Sequence, residues 1–214
     1  MVFTDFSYLR KKVKNMKKLP ILLCALAMAA CGTNQTSAPT LDEVFASRRS
    51  IRAYEAGKTI SEAEVRELLK AAQNAPSWAN MQPSKYYVAI GEEKREAVLD
   101  FIGGNKDRVI NAPVLIVSSF ETGKSGFFRG TPLDETGNLW GAYDNGLSNA
   151  YLILKARAMG FDTLIMGMRH ADELRRLFEI PENETILAVI ALGYRAQEPS
   201  TPTHRPLDEI AKFY

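Results

Sequence analysis

The stretch SRRSIRAYEAG, Ser47 to Gly57, places three arginines within five positions around one serine. A guanidinium offers planar, paired N–H donors that match phosphate oxygens, and it keeps its charge at any physiological pH. Arg48, Arg49 and Arg52, with the short hydroxyl of Ser50, therefore form a candidate phosphate cradle. Arg48 and Arg52 are four apart, which would set them on one helix face with Arg49 pointing elsewhere. The same residues equally suit a solvated basic helix end, where cations complement the helix dipole.

A second segment carries different chemistry. NAPSWANMQPSKYYV, Asn74 to Val88, is a proline-punctuated run of small residues with one indole, Trp78, and two amides, Asn80 and Gln82. Amides both donate and accept, which suits the edge of a heteroaromatic ring, although such a run can also be a plain connector. Other chemistries find no support. The sequence has no GxGxxG, no GxxxxGK[ST] and no GxSxG elbow, and only two histidines, His170 and His204, far apart for a zinc cluster.

Both segments need a scaffold. Thr40 with Glu43, and Ser61 with Glu64, have capping-box spacing and predict two helix starts. The second helix repeats Val65, Leu68, Leu69 and Ala72 at helical spacing and should end near Pro76. Four apolar runs predict strands, starting near Lys85, Ala112, Phe161 and Thr185. Helical patterns lie between them, from Glu92, from about Asn138 to Met159, and from Ala171. The long one carries Ala142, Gly146, Ala150, Ile153 and Leu154, with Tyr143 and Leu147 alongside, which predicts a central helix buried on several sides. The fold class is α+β.

The first thirty residues read as an address. Five lysines between Lys11 and Lys18 precede the apolar run Leu19 to Ala30, which is shorter than the roughly 18 to 20 residues of a spanning helix. The run ends at MAAC, so residues 1–31 resemble a bacterial lipoprotein signal with Cys31 as the lipidated residue, and an ordinary cleaved signal is the alternative. Met28 departs from the usual leucine three positions before that cysteine, and Met16 is a plausible true start. Residues 32–39 would be a flexible tether and 40–214 one domain, held at the cell envelope. Residues 1–30 contain six of the 27 basic and one of the 25 acidic residues, leaving 21 and 24, a net charge of −3. Nucleic-acid binding thus loses its electrostatic basis. Cys24 falls in the apolar run, so no cysteine pair remains for a disulfide or thiolate site.

Taken in order, RRSIRAY, the helix from Ser61, APSWANMQPSKYYV, NKDRVINAPVLIV, the long helix, GFDTLIMGM and GYRAQEPSTPTHRPLDEI resemble the nitroreductase family of FMN enzymes, from about Thr40 to the C-terminus. The resemblance implies a mixed, mainly antiparallel sheet flanked by helices, in a homodimer with a flavin at the subunit interface. It implies that Arg48, Arg49 and Ser50 hold the FMN phosphate and that Arg52 approaches the N1/O2 edge, where a cation favours the reduced flavin. Asn105 and Arg108 match positions near the ring and ribityl chain. Pro76, Ser77, Trp78 and Asn80 would come from the partner subunit, and Gln82 is a further candidate cofactor contact. Met166 and Gly167 match the turn facing flavin N5, where a missing Cβ permits close approach. His204 and Arg205 match a basic pair over the phosphate. The implied activity is two-electron transfer from NAD(P)H or another donor to a nitroaromatic, quinone or similar acceptor in a ping-pong cycle, with no catalytic side chain. The segment Glu121 to Asn138 would shape the substrate pocket, with Phe127 and Phe128 able to stack there. Alternatives are a lipid-anchored flavin binder without turnover and a cofactor-less dimeric interaction module.

Overall fold

The computed structural model describes residues 38–214, so the signal segment, Cys31 and tether residues 32–37 lie outside the described residues. Both capping boxes form. The Thr40 hydroxyl accepts the Glu43 N–H and Glu43 reaches back to Thr40, opening α1 (Leu41–Ser47). Ser61 and Glu64 do the same for α2 (Glu62–Gln73), which buries Val65, Leu68 and Ala72.

The four predicted strands are β1 (Ser84–Ala89), β2 (Val114–Glu121), β5 (Asp162–Met166) and β6 (Glu184–Gly193). They form one sheet in the order β1-β2-β6-β5, with every pair antiparallel. A separate two-stranded hairpin pairs β3 (Phe127–Phe128) with β4 (Thr131–Pro132).

Strand periodicity sorts the core into two halves. Leu115, Val117, Val189 and Ala191 point to one face and pack with Val98 and Leu99 of α3 (Glu92–Asp100) and Leu174 of α6 (Ala171–Phe178). Val114, Ile116, Ile190 and Leu192 point to the other, against Val65 and Leu68 of α2 and Leu152 and Ala156 of α5 (Leu139–Ala158). A short α4 (Lys106–Val109) follows α3. The central strands β2 and β6 are covered on both faces, so each fully buried Leu or Ile contributes about 2 kcal/mol.

The long helix α5 has the predicted limits but a different buried face. Within the chain it buries one stripe, Gly141, Asp144, Asn145, Ser148, Asn149, Leu152 and Ala156, and most of that stripe is polar. The residues expected to be covered on several sides are half-buried or exposed instead: Tyr143 is 61% exposed, Gly146 is open, and Ala142, Leu147, Ala150, Ile153 and Leu154 are half-covered. The stripe is buried because its polar groups bond to the sheet: Ser118 donates to Asn145 and Asn149, Asn145 donates to the Ser119 carbonyl, and Tyr86 donates to Ser148. The last helix is α7 (Leu207–Ile210), whose apolar side chains both face outward.

Candidate functional site

The arginine stretch is not helical. α1 stops at Ser47, Arg48 has φ −65° and ψ 130°, and the chain runs on extended. The expectation that Arg48 and Arg52 share a helix face is therefore corrected. The cause lies over a hundred residues away: Ser50 forms a parallel bridge with Thr163 of β5, and the Ile51 N–H donates to the Thr163 carbonyl at 3.0 Å. Further on, Tyr54 pairs with Arg195 and the Glu55 N–H donates to the Tyr194 carbonyl. Extended backbone alternates sides. Ile51 enters the core between exposed Ser50 and Arg52, and Tyr54, set by its separate bridge to Arg195, enters it too; burying Ile51 contributes about 2 to 3 kcal/mol, whereas the buried Tyr54 hydroxyl has no hydrogen-bond partner among the described residues, which offsets part of that side chain's gain.

Ion pairs hold this edge from behind. The Asp162 carboxylate is buried and accepts from Arg195 Nε at 2.8 Å, Arg195 Nη2 at 2.6 Å and Arg157 Nη1 at 3.4 Å. Hydrogen bonds from Arg195 to Asp162 push the guanidinium's pKa above its ordinary value. Arg157 Nε also donates to the Ser47 hydroxyl at 3.0 Å and Arg195 Nη2 to the Ser47 carbonyl at 3.2 Å. Both arginines thus fix the residue just before Arg48.

The forward arginines are treated differently. Arg49 donates to the Arg48 carbonyl and, at 3.3 Å, to the Thr201 hydroxyl; Arg52 donates to the Ser50 carbonyl. Among the described residues, none of Arg48, Arg49 and Arg52 meets a carboxylate. The Thr201 contact brings the C-terminal arm beside the arginines, with His204 and Arg205 exposed a few residues on. At the end of β5, the buried Met166 fills the core and pairs with Val189 of β6, while Gly167 is exposed and an added Cβ there would meet nothing within 4 Å. Asn105 and Arg108 are bonded to each other at 3.1 Å. They follow Gly103, where a Cβ would lie 2.9 Å from Met168 Sδ, so this turn packs beside the same strand end.

The second predicted group lies elsewhere. Pro76, Ser77, Trp78, Asn80 and Gln82 form the loop that leads into β1, the opposite edge of the sheet. From the arginine segment to β1 is four inter-strand steps, about 19 Å at ~4.8 Å per step. One chain does not bring the two groups together. The loop is tightly wound: Ala79, Asn80 and Gln82 have φ of 45°, 57° and 48°. Non-glycine residues in this region cost roughly 1 to 2 kcal/mol each. It is closed by the Gln82 N–H donating to the Ser77 hydroxyl at 2.9 Å and by the Trp78 N–H donating to both oxygens of Asp144, at 3.0 and 3.1 Å. Pro76, Ser77, Gln82 and Asp144 line a cleft of about 610 Å³ together with Lys70 and Tyr86. Burial pushes the Tyr86 phenol up to about 12. In the 121–138 segment, Phe128 is exposed and Phe127 half-buried.

Asp162 and Asp144 were not singled out from sequence. Each bonds across a long stretch of chain, Asp144 to Trp78 and Asp162 to Arg195. A signal was present for Asp144, since the polar set Asp144, Asn145, Ser148 and Asn149 repeats at helical spacing along an otherwise apolar helix.

With this geometry in place, a model of the Nitroreductase family matches residues 45–194. The chain belongs to the nitroreductase family. Family membership carries the enzyme class, an FMN-dependent oxidoreductase. The chain is 28% identical over 203 residues to the protein named NADH dehydrogenase of Thermus thermophilus, covering 82% of this chain and 98% of that one. Its fold is similar to the nitroreductase family protein of Streptococcus pneumoniae, with a TM-score of 0.72 at 22% identity over 82% of this chain and all of that one. It is also similar to the NADPH:FMN oxidoreductase of Vibrio harveyi complexed with NAD+, with a TM-score of 0.68 at 22% identity, covering 81% of this chain and 76% of that one.

Proposed function

We propose that this nitroreductase works as a homodimer whose two flavin sites each combine the arginine edge of one subunit with the Pro76–Gln82 loop of the other. The observation that carries the reading is the separation of the two groups to opposite sheet edges, combined with three arginines that lack carboxylate partners among the described residues. Guanidiniums without an anion, Arg52 exposed and Arg48 and Arg49 half-buried, match the chemistry of a phosphate tail. The open space above Gly167 matches a flat ring lying against backbone. Apolar groups left outside the chain, among them Tyr143 on α5 and Ile210 and Phe213 on the C-terminal arm, give a second copy something to cover.

In this reading Arg48, Arg49 and Ser50 bind the FMN phosphate, and His204 and Arg205 close over it. Arg52 offsets negative charge at the N1/O2 edge. Asn105 and Arg108 orient the ribityl side, the backbone of Met166 and Gly167 faces N5, and Pro76, Ser77, Trp78, Asn80 and Gln82 of the second copy cover the ring. FMN bound there supplies the two-electron chemistry that no side chain of the chain offers. Donor and acceptor would use one face in turn, a ping-pong cycle from NAD(P)H, or a different donor outside the cytoplasm, to a nitroaromatic or quinone. We place the protein at the cell envelope, anchored through Cys31, on the basis of the leader composition.

The test uses purified protein loaded with FMN and reduced without oxygen. We expect a yellow dimer that bleaches on reduction and regains its colour when a quinone or nitroaromatic is added. A monomer, or a protein that takes up no FMN, would refute the reading.

A further inference from the structure

We infer that Asp144 is a positioning residue that holds the ring-covering loop in its left-handed conformation and ties it to the 121–138 segment through Ser125; this rests on the cofactor site proposed above. Asp144 is 3% exposed. A buried carboxylate is costly unless its acceptor sites are filled, and it can only accept. Here the donors come from two loops: the Trp78 N–H, which meets both oxygens, and the Ser125 hydroxyl at 2.6 Å.

The neighbouring polar residues show that this carboxylate is not needed to seat the helix. Asn145, Ser148 and Asn149 make the bonds between α5 and the sheet and α2, including Ser148 to the Ala72 carbonyl. The recorded bonds of Asp144 run instead to the two loops. The first is the segment whose Ala79, Asn80 and Gln82 sit at positive φ, a state that persists only when its surroundings enforce it. Ser125 stands at the root of the β3–β4 hairpin, beside Gly126, where a Cβ would lie 2.5 Å from Trp140. A displacement of the hairpin therefore reaches Asp144 through one short bond, and from there the loop. An Asn side chain offers one acceptor oxygen in place of two and presents its NH2 to a donor.

The experiment compares wild type, Asp144→Asn, Ser125→Ala and, as a control from the same buried stripe, Asn149→Ala. Two readouts are taken. The first is FMN affinity of the apoprotein by flavin fluorescence, with the visible spectrum of the bound flavin. The second, independent of flavin, is the rate of chymotrypsin cleavage after Trp78. Asp144→Asn is expected to weaken FMN about tenfold, shift the bound spectrum and speed cleavage at least fivefold. Ser125→Ala moves both readouts in the same direction by about threefold. Asn149→Ala lowers the melting temperature and leaves both at wild-type values. If wild type binds no FMN, the cofactor reading fails and the cleavage rates alone judge the positioning role. Wild-type FMN affinity and cleavage in Asp144→Asn, or equal changes in Asn149→Ala, overturn the inference.

Discussion

The two edges of the sheet hold their functional residues by different means. Beside β5, an extended segment is locked by an ion-pair cluster at Asp162, and the charge left over is the forward-facing set Arg48, Arg49 and Arg52. Before β1, a neutral loop is locked by hydrogen bonds to one carboxylate, and the cost appears as positive φ at three residues. The difference follows from what each edge presents. An edge gathering guanidiniums faces mutual repulsion and needs a rigid, charge-balanced backing. An edge presenting backbone and amides has no such repulsion, but must keep a shape that the free chain avoids.

Breaking the backing should have the largest effect. Among the described residues, Asp162→Asn leaves Arg157 without a carboxylate and Arg195 with only the exposed Glu198, at 2.7 Å, and removing one partner of a buried pair typically costs several kcal/mol. We expect about 4 kcal/mol less unfolding stability in urea, with FMN affinity lowered as the backbone at Ser47 loosens. Next comes the charge itself. Arg48→Ala with Arg52→Ala removes two charged contacts worth about 1.5 kcal/mol each, so FMN affinity should fall roughly 100-fold by fluorescence titration. Unfolding stability should barely change, because both guanidiniums are outside the core. At the other edge, Gly126→Ala adds a Cβ 2.5 Å from Trp140 Cδ1 at a φ of +82°. Overpacking of this kind costs about 2 kcal/mol, measured by urea unfolding, and should raise KM for bulky acceptors more than it changes FMN affinity.

The division between edges also explains what could be read from the sequence. Strands and caps depend on neighbours a few residues apart, and the four apolar runs and both capping boxes form where local patterning puts them. The extended course of Arg48 to Arg52 depends on Thr163 and was invisible to local spacing, which favoured a shared helix face. Ile51 belongs to that same pairing, and Tyr54 to the bridge with Arg195. On α5 the apolar residues implied a covered face, but inside one chain the sheet takes the polar stripe instead, since Ser118, Ser119 and Tyr86 supply its hydrogen-bond partners. Asp162 is a lone aspartate in a strand and looks like surface until its distant donors are placed, whereas Asp144 belongs to a polar stripe that reads as a solvated helix face until the sheet and the Trp78 N–H are set against it.

The smallest effects compare the same cap at both edges, since α1 leads into the arginines and α2 into the loop. Hydrogen bonds from Thr40 hold the Glu43 carboxyl below its ordinary range, and those from the Ser61 side chain and backbone do the same for Glu64. A carboxyl whose folded pKa is depressed stabilises the fold above its unfolded value, and that contribution is lost as pH falls through the folded one. Ser61→Ala should lower global unfolding stability by about 1 kcal/mol, because α2 is anchored by Val65, Leu68 and Ala72 and unfolds with the core. Thr40→Ala acts on a helix that buries only Val44, so its effect should be local: faster amide hydrogen exchange across 41–47 and weaker FMN binding, with global stability nearly unchanged. Both differences from the parent should shrink as the pH falls from the ordinary glutamate range through the depressed folded values, where the two carboxyls take up protons. Equal global losses from both variants would mean that α1 is part of the cooperative core, and that the arginine edge is fixed by the whole fold rather than by the cluster at Asp162.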